Sequence, residues 1–311
     1  MPTPANPTAL AQQARRSYVE RLLGGLPAVV AAVDQGARLL ASTVAEPAIG
    51  MKRREAMVFE ALSAVLSPRS IVDRTSHPTA KMEGFEPASG VVQGESLAAL
   101  EFVERGLRFR IPLELGQKTG FYFDQRSLRG RVEQLAHGQR VFDTYAFVGA
   151  FAIAAARGGA REVIAVDESA AAIEVGGECA AMNGVGDRVT FVKDDARRAL
   201  ADARASFDLV IADPPRLAPT RGAREQALLA YTKLAENACR AVRSGGLLVL
   251  CSCSHAVDLT ALTRALATGA TRASVQATVL ERWFQGADHP VPAAFGEGLY
   301  LKALIARIET R

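Results

Sequence analysis

The chain has 311 residues, of which 49% are hydrophobic and 23% are charged. This length and composition are typical of an ordinary globular protein with roughly two domains, each able to bury a core. The net charge of +4 and the pI near 9.0 are compatible with a polyanionic partner. They do not require one, because many enzymes that act on small molecules are equally basic.

The sequence shows no sign of a signal peptide or of a membrane-spanning segment. The start, MPTPANPTAL, lacks the charged residues and apolar stretch of a signal peptide, and the apolar segment LLGGLPAVVAAV is interrupted by Gly24, Gly25 and Pro27. The four cysteines have no metal-ligand spacing, and a C-x-C pair is too tight for an internal disulfide. We therefore expect a cytoplasmic protein with reduced thiols, no metal and no membrane association.

The first part of the chain divides into two units of different character. Residues 1–45 are rich in Ala, Leu and Arg and predict a helical leader, to which the pattern assigns no role. Residues 46–113 predict a small α+β domain with a helix over 51–66, a strand at SIVDR and a hairpin in LEFVERGLRFRI. The turn of this hairpin is expected at Arg105-Gly106.

Over residues 114–311, short runs rich in Val and Ile alternate with helical patterns. The runs are RVFDTY, EVIAVDE, RVTFVK, FDLVIADPP and GLLVLCSC. Continuous apolar strands separated by helices predict an α/β domain whose parallel sheet is covered on both faces. In such domains, ligands bind outside the carboxyl ends of the strands.

Acidic residues follow four successive predicted strands. Asp143 and Asp167 end the first two, with Gly149 in the turn after the first, while Asp195 and Asp213 follow the next two. A tight turn and a carboxylate after the second strand suit an adenosine-type ligand. The turn lets the backbone approach the ligand, and the carboxylate can accept hydrogen bonds from the ribose hydroxyls. One aspartate at a strand end more often caps a helix, and one glycine fits a structural turn about as well. Four acidic strand ends together predict a ligand site.

Four segments carry a resemblance to a known family. They are GQKTGFYFDQR (116–126), DPP (213–215), CSCSH (251–255) and ADHPVPAAFGEGLYLK (287–302). Their sequence and order resemble the class I S-adenosylmethionine methyltransferases, and within them the bacterial 23S ribosomal RNA cytosine-5 methyltransferases, over about 46–311. The resemblance implies a Rossmann-like seven-stranded sheet with S-adenosyl-L-methionine as cofactor. The cofactor contacts it implies are Asp143, Gly149, Asp167, Asp195, Gln117, Lys118, Phe123, Asp124, Gln125 and Arg126.

The resemblance also implies a catalytic pair, Cys253 and Asp213. Cys253 corresponds to the nucleophilic cysteine of the family, and Asp213 would lie beside it if the fourth and fifth strands are neighbours. Because C5 of cytosine is a poor nucleophile, a thiolate adds to C6 while a partner at N3 takes up the charge. A free thiol, with a pKa of about 8.5, needs activation by the substrate or by positive charge such as His255. Without the resemblance, Cys253 would be a buried structural thiol.

The chain departs from the family at three places. The family carries an N-terminal RNA-binding module of the PUA type, and residues 1–45 are too short and too helical to form one. Its first motif has two adjacent glycines where this chain has Gly149 and Ala150. The segments RLAPTR and LAYTKLA replace small, aromatic and basic residues near the substrate.

RNA cytosine-C5 methylation is therefore the leading hypothesis, with RNA as the partner. The alternative is a methyltransferase of the same fold that acts on a small molecule, such as a natural product or a nucleoside. N-methylation is less favoured, because Arg216 stands where such sites place an aromatic residue. Binding without chemistry is a third interpretation, which Cys253 disfavours, and a homodimer is compatible with the sequence.

Overall fold

The computed structural model of the chain describes residues 68–73, 90–115, 120–217, 224–287 and 296–310, with scattered shorter stretches from 53 to 86 and from 289 to 294. The predicted leader over 1–45 lies outside the described residues, as does most of the predicted helix over 51–66. Two compact units divide between Tyr122 and Phe123. The domain boundaries near residues 45 and 113 stay predictions.

The described part of the first unit contains two separate pairs of antiparallel strands. The strands are β1 (Ser70–Asp73), β2 (Gly90–Gly94), β3 (Ala99–Glu104) and β4 (Leu107–Pro112). The first pair confirms the predicted strand at SIVDR, and the second pair confirms the predicted hairpin.

The hairpin of β3 and β4 buries one face of its alternating pattern. Its turn lies at Arg105 and Gly106, whose φ angles of 51° and 79° are both positive, as a tight two-residue turn requires. The ring of Phe121 contacts those of Phe102 and Phe109, with centroids 4.9 Å and 5.0 Å away. This aromatic cluster extends the first unit beyond β4 to the segment that the sequence assigned to the second domain.

The second unit is a seven-stranded sheet with helices packed against it. In chain order its elements are α1 (Arg126–Leu135), β5 (Arg140–Thr144), α2 (Ala150–Arg157), β6 (Glu162–Asp167), α3 (Ala170–Met182), β7 (Val189–Lys193), α4 (Ala196–Asp202), β8 (Phe207–Ala212), α5 (Arg224–Ala241), β9 (Val242–Ser252), α6 (Leu259–Arg272), β10 (Val275–Phe284) and β11 (Lys302–Thr310).

The strand order across the sheet is β10-β11-β9-β8-β5-β6-β7. The strands β5 to β9 pair in parallel, and β11 runs antiparallel to both of its neighbours. The five predicted strands and the seven-stranded Rossmann-like fold are therefore confirmed.

Helices cover the sheet because its central strands are apolar on both faces. All six residues of β8 are buried, and α5 packs on β8, β9, α4 and α6. Side chains from α5 and α6, such as Tyr231 and Leu262, share one core with Val210 and Leu250 of the sheet. The helices α1, α2 and α3 pack in sequence on one another. Among the helices of the described residues, none combines the length and the apolar character that a membrane span needs.

Two adjacent glycines of α3 differ in what surrounds them. A Cβ atom at Gly176 would lie 2.5 Å from Cε1 of Phe191, a ring atom of β7, whereas a Cβ at Gly177 would meet nothing within 4 Å. The first glycine therefore lets the helix approach the strand closely, and the second lies over open space.

This difference predicts opposite effects of the same substitution. Gly177→Ala should stabilise the protein by about 0.5 to 1 kcal/mol, because alanine is the better helix former. Gly176→Ala should destabilise it by roughly 1 to 3 kcal/mol, because the new methyl group displaces the Phe191 ring. Urea denaturation of both variants measures the difference, and shifts of the same sign would contradict the packing of α3 on β7.

Candidate active site

The parallel pairing of β8 determines which side chains meet at the carboxyl edge of the sheet. Ala212 lies opposite Thr144 of β5 and opposite Leu250 of β9. The next residue, Asp213, is therefore level with Cys251 rather than with Cys253. The hydroxyl of Thr144 donates a hydrogen bond of 2.8 Å to the carbonyl of Ile211, which ties the two strand ends together.

Two of the predicted carboxylates hold the loop between β5 and α2. Oδ2 of Asp143 accepts from the backbone N–H of Ala152 at 3.0 Å, inside the first turn of α2. Oδ2 of Asp167 accepts from the N–H of Phe147 at 2.8 Å, and its Oδ1 accepts from the N–H of Ser169 at 2.9 Å. Since a carboxylate has about four acceptor positions, Asp167 retains capacity for a ligand.

The same loop has an unusual backbone. Tyr145, Phe147 and Gly149 have φ angles of 63°, 51° and 70°, all in the left-handed region. That conformation costs a residue with a side chain about 1 kcal/mol or more, and such strain clusters at functional sites. Gly149 is required for two reasons, its φ angle and the ring of Phe191, which a Cβ would approach to 2.5 Å. Its requirement thus arises within the protein itself.

Asp195 caps a helix, as single aspartates at strand ends often do. Its Oδ1 accepts from the backbone N–H groups of Arg197 and Arg198 at 2.7 Å and 3.3 Å, at the start of α4. The hydrogen bond from the Arg197 side chain, followed by these backbone donors, lowers the pKa of Asp195 to about 2. Asp195 is therefore ionised, and the cofactor contact predicted for it has to use acceptor positions that these donors leave open.

Asp213 has the most altered ionisation of the predicted catalytic residues. Its carboxyl is enclosed by protein atoms, although the residue as a whole keeps some exposed surface. Burial raises its pKa to about 7, and the charge of Asp124 adds to the effect. Arg129, a hydrogen bond of 2.8 Å from Nε2 of Gln125 and the thiol of Cys251 oppose the shift. This carboxyl can therefore exist in either form near neutral pH.

The buried guanidinium of Arg129, on α1, was missed by the sequence reasoning. Only 3% of this residue is exposed, and its charge lowers the pKa of both Asp143 and Asp213. Burial nevertheless raises the pKa of Asp143 above its usual range, although the hydrogen bond from Ala152 and the charge of Arg129 oppose the shift. An arginine in the apolar pattern of α1 was the available signal, since arginines are rarely fully buried without partners.

The two cysteines of CSCSH lie in different environments. Cys251 is fully buried in β9, and its thiol hydrogen-bonds the Asp213 carboxyl. Burial and the charge of Asp213 raise the pKa of Cys251 well above its usual range, so it stays a thiol. Cys253 follows the last residue of β9 and is partly exposed. Of the four thiols, only that of Cys253 is accessible.

The segment 116–126 contributes two buried acceptors. Gln117 and Lys118 lie outside the described residues, Phe123–Gln125 form a 3-10 turn, and Arg126 begins α1. Oδ2 of Asp124 accepts from the hydroxyl of Tyr300 at 2.6 Å. Oδ1 of Asp124 and Oε1 of Gln125 are buried and accept from no donor among the described residues. Such atoms are costly unless a ligand supplies the missing donor.

The pKa of Asp213 predicts a pH dependence of stability. Because the pKa is raised from about 3.9 in the unfolded chain to about 7, the folded state holds one more proton between these values. Wild type should therefore lose stability relative to Asp213→Asn as the pH rises from 5 to 7, by roughly 1 kcal/mol per unit. Above pH 7 the difference should level off.

Urea denaturation at pH 5, 6, 7 and 8 measures this difference. The matched control is Asp187→Asn, whose aspartate is largely exposed beside Arg188. A constant difference between wild type and Asp213→Asn across this range would mean that the Asp213 carboxyl titrates normally.

Comparisons with known proteins agree with this fold. The chain is 35% identical over 261 residues to ribosomal RNA large subunit methyltransferase I of Yersinia pseudotuberculosis serotype O:1b (strain IP 31758), a match that covers 82% of this chain and 66% of that protein. The chain thus spans just under two thirds of the length of the curated relatives that it matches.

Solved structures show the same fold at lower identity. The crystal structure of SMU.776 complexed with SAH superposes with a TM-score of 0.71 at 19% identity, over 82% of this chain and 66% of that chain. Trm5b from Pyrococcus abyssi has a TM-score of 0.60 at 19% identity, over 84% and 70%. The family described as S-adenosylmethionine-dependent methyltransferase matches residues 83–290, more than half of the chain. The chain therefore belongs to the family of S-adenosylmethionine-dependent methyltransferases.

Proposed function

We propose that this methyltransferase modifies C5 of cytosine in RNA through a covalent bond to Cys253. The observation that carries the proposal is the partly exposed Cys253 thiol just after β9, the strand next to β8 in the sheet, and the Asp213 carboxyl just after β8, whose pKa is about 7. The chemistry needs both groups, because the base must be attacked at C6 and relieved of charge at N3.

The residues at the carboxyl edge of the sheet fit the cofactor. The buried oxygens Asp124 Oδ1 and Gln125 Oε1, which accept from no donor in the part of the chain that the structure describes, suit its ammonium group. Asp167 has acceptor positions left for the ribose hydroxyls after binding Phe147 and Ser169. S-adenosylmethionine supplies an electrophilic methyl group when bound. The role of Asp143 is indirect. Its carboxylate holds the first turn of α2, and with it the loop that the cofactor would contact.

The two proposed catalytic side chains have separate tasks. The thiolate of Cys253 forms a bond to C6 of the base, which makes C5 electron-rich enough to accept a methyl group. A protonated Asp213 donates a hydrogen bond to N3, the atom on which negative charge would otherwise develop. A pKa of about 7 lets Asp213 carry that proton near neutral pH.

The name of the curated relatives supports RNA as the substrate. The 35% identical protein from Yersinia pseudotuberculosis is named for ribosomal RNA of the large subunit. The net charge of +4 is consistent with a polyanionic substrate. Against this, Arg216 and Leu217 follow the DPP motif where the family has small and aromatic residues, which leaves a small-molecule acceptor as the alternative. The cytoplasmic location and the homodimer stay predictions.

The cofactor assignment predicts the effect of Asp167→Ala. This change removes charge-assisted hydrogen bonds worth roughly 1.5 to 3 kcal/mol each. Calorimetry should therefore show S-adenosylmethionine binding weakened at least tenfold. Asp187→Ala is the matched control, because Asp187 is exposed and outside the site. Circular dichroism checks that both variants fold, and an unchanged dissociation constant for Asp167→Ala would refute the assignment.

The covalent mechanism predicts a trapped adduct. Large-subunit ribosomal RNA transcribed with 5-fluorocytidine should, in the presence of S-adenosylmethionine, form a bond to Cys253 that survives denaturation, because fluorine cannot leave C5 as a proton does. Mass spectrometry should locate the RNA on the peptide that contains Cys253. Cys253→Ala should abolish the adduct and methyl transfer, while its affinity for S-adenosylmethionine stays unchanged.

The control for this experiment is Cys239→Ala, which removes a fully buried thiol of α5 in the hydrophobic core. It should lower stability by about 1 kcal/mol through a small cavity and leave the adduct intact. Near-normal methylation by Cys253→Ala would disprove the mechanism. If radiolabel from S-adenosylmethionine enters a metabolite extract and not RNA, the acceptor is a small molecule.

A further inference from the structure

A buried lysine on the strand next to β9 has no part in the function proposed above. Lys302 begins β11 and pairs across the sheet with Ser252, the residue before Cys253. Only 5% of Lys302 is exposed, and Leu301, Ala303 and Leu304 around it are buried as well. Lysine is rarely buried this far, because removing its charge from water is costly unless a partner compensates.

The ammonium of Lys302 contacts the turn that carries Cys253. Its Nζ donates a hydrogen bond of 2.7 Å to the carbonyl of Ser254. The same carbonyl also accepts a hydrogen bond of 3.3 Å from the N–H of Val257, which closes the turn after β9. Lys302 therefore holds this turn through the carbonyl at its start. A neutral carbonyl satisfies one of three N–H donors and leaves the charge itself without an anion.

Two anions act on this charge. Burial lowers the pKa of Lys302, and the thiolate of Cys253 opposes that effect more strongly than the carboxylate of Asp258 does. The Asp258 carboxylate is exposed and engaged elsewhere, since it accepts from the N–H of Ala261 at 2.8 Å and pairs with Arg224. Arg216 adds a smaller effect that also lowers the pKa of Lys302.

Two further ionisable groups near Cys253 disfavour negative charge on its sulfur. Tyr231 of α5 and Cys251 of β9 interact with Cys253 as potential anions of the same sign. His255 lies in the same turn, with its ring centroid 6.1 Å from that of Tyr300. Lys302 is thus the buried cation that the strand neighbouring β9 provides for this thiol.

We propose that Lys302 is a positioning residue for Cys253: its buried ammonium fixes the turn that carries the sulfur and supplies the positive charge against which the thiolate forms. The proposal deepens the proposed function, on which its catalytic meaning rests. The thiol proton leaves to solvent, since Cys253 is partly exposed. An interaction of opposite charges is reciprocal, so the ammonium stabilises the thiolate as much as the thiolate stabilises the ammonium.

The test is the rate at which iodoacetamide alkylates Cys253 as a function of pH, in the full chain without substrate. Only the thiolate reacts, and the other three thiols are buried, so that Cys253→Ala gives the background rate. The wild-type midpoint should lie below about 8, compared with about 8.5 for a free thiol. A wild-type midpoint at or above that free value would overturn the proposal without any variant.

Three substitutions separate charge from structure. Lys302→Gln keeps an N–H donor for the Ser254 carbonyl and removes the charge, Lys302→Met removes both, and Lys302→Arg keeps both. The midpoint should rise by at least one pH unit in the Gln and Met variants, with alkylation at pH 7 about tenfold slower. The Arg variant should stay close to wild type. Arg307→Gln, which removes an exposed charge on the same strand, should change nothing.

The outcome for Lys302→Gln decides between the roles. If its midpoint equals that of wild type, Lys302 only stabilises the turn, and the proposal is wrong. The rate of methyl transfer by Lys302→Gln, divided by the wild-type rate at the same pH, should recover as the pH is raised from 7 to 9, because the thiol then ionises without the lysine charge, whereas the loss of the Asp213 proton slows both proteins alike. Alkylation reports on the thiol alone, whereas the 5-fluorocytidine adduct reports on the reaction, so failure of one is distinguishable from failure of the other.

Discussion

Two polar contacts hold β8 in register, and the geometry of the site depends on them. Because all six residues of β8 are buried, a slip by one residue would not expose an apolar side chain, so burial alone fixes the strand poorly. At its start, the buried Asp208 accepts from the N–H of Arg140 at 2.7 Å. At its end, Thr144 donates to the carbonyl of Ile211. Polar groups that would lose their partners on slipping thus keep the end of β8, and with it Asp213, level with the end of β5.

The energetic costs of the structure are concentrated at the edge of the sheet that these contacts define. Asp143 and Asp213 lie where burial raises the pKa of both, and Arg129 on α1 offsets part of that cost for each. The loop after β5 adds left-handed backbone at Tyr145 and Phe147, which the carboxylate of Asp167 holds through the N–H of Phe147. The packing of the apolar sheet stabilises the fold enough to tolerate buried carboxyls and left-handed backbone at one edge. A ligand that binds there can offset part of this unfavourable free energy.

The sequence predicted the layers of the fold better than it predicted contacts between them. Alternating apolar runs and helices were enough for the parallel sheet, and period-two alternation was enough for the hairpin at Arg105 and Gly106. Strand register, in contrast, depends on pairing between distant segments, so the partnership of Asp213 with Cys251 was not visible. Likewise, one of the two reasons for Gly149, the close approach of Phe191, comes from another strand. Helix capping, the alternative considered for any single aspartate at a strand end, is a role that Asp195 does have, because it depends only on neighbouring residues.

The end of β9 places two identical side chains in different environments. Cys251 and Cys253 are separated by one residue, but β9 ends at Ser252, so the first thiol is enclosed and the second reaches the surface. Cys251 lies beside the carboxyl of Asp213 and keeps its thiol proton. A thiolate there would be unfavourable both because it is buried and because Asp213 carries charge of the same sign. Beyond the strand, a lysine accompanies Cys253, and the adjacent charge has the opposite sign. Cys251 thus has a carboxyl as its neighbour, whereas the accessible Cys253 interacts with an ammonium, and this difference is what the proposed role of Lys302 rests on.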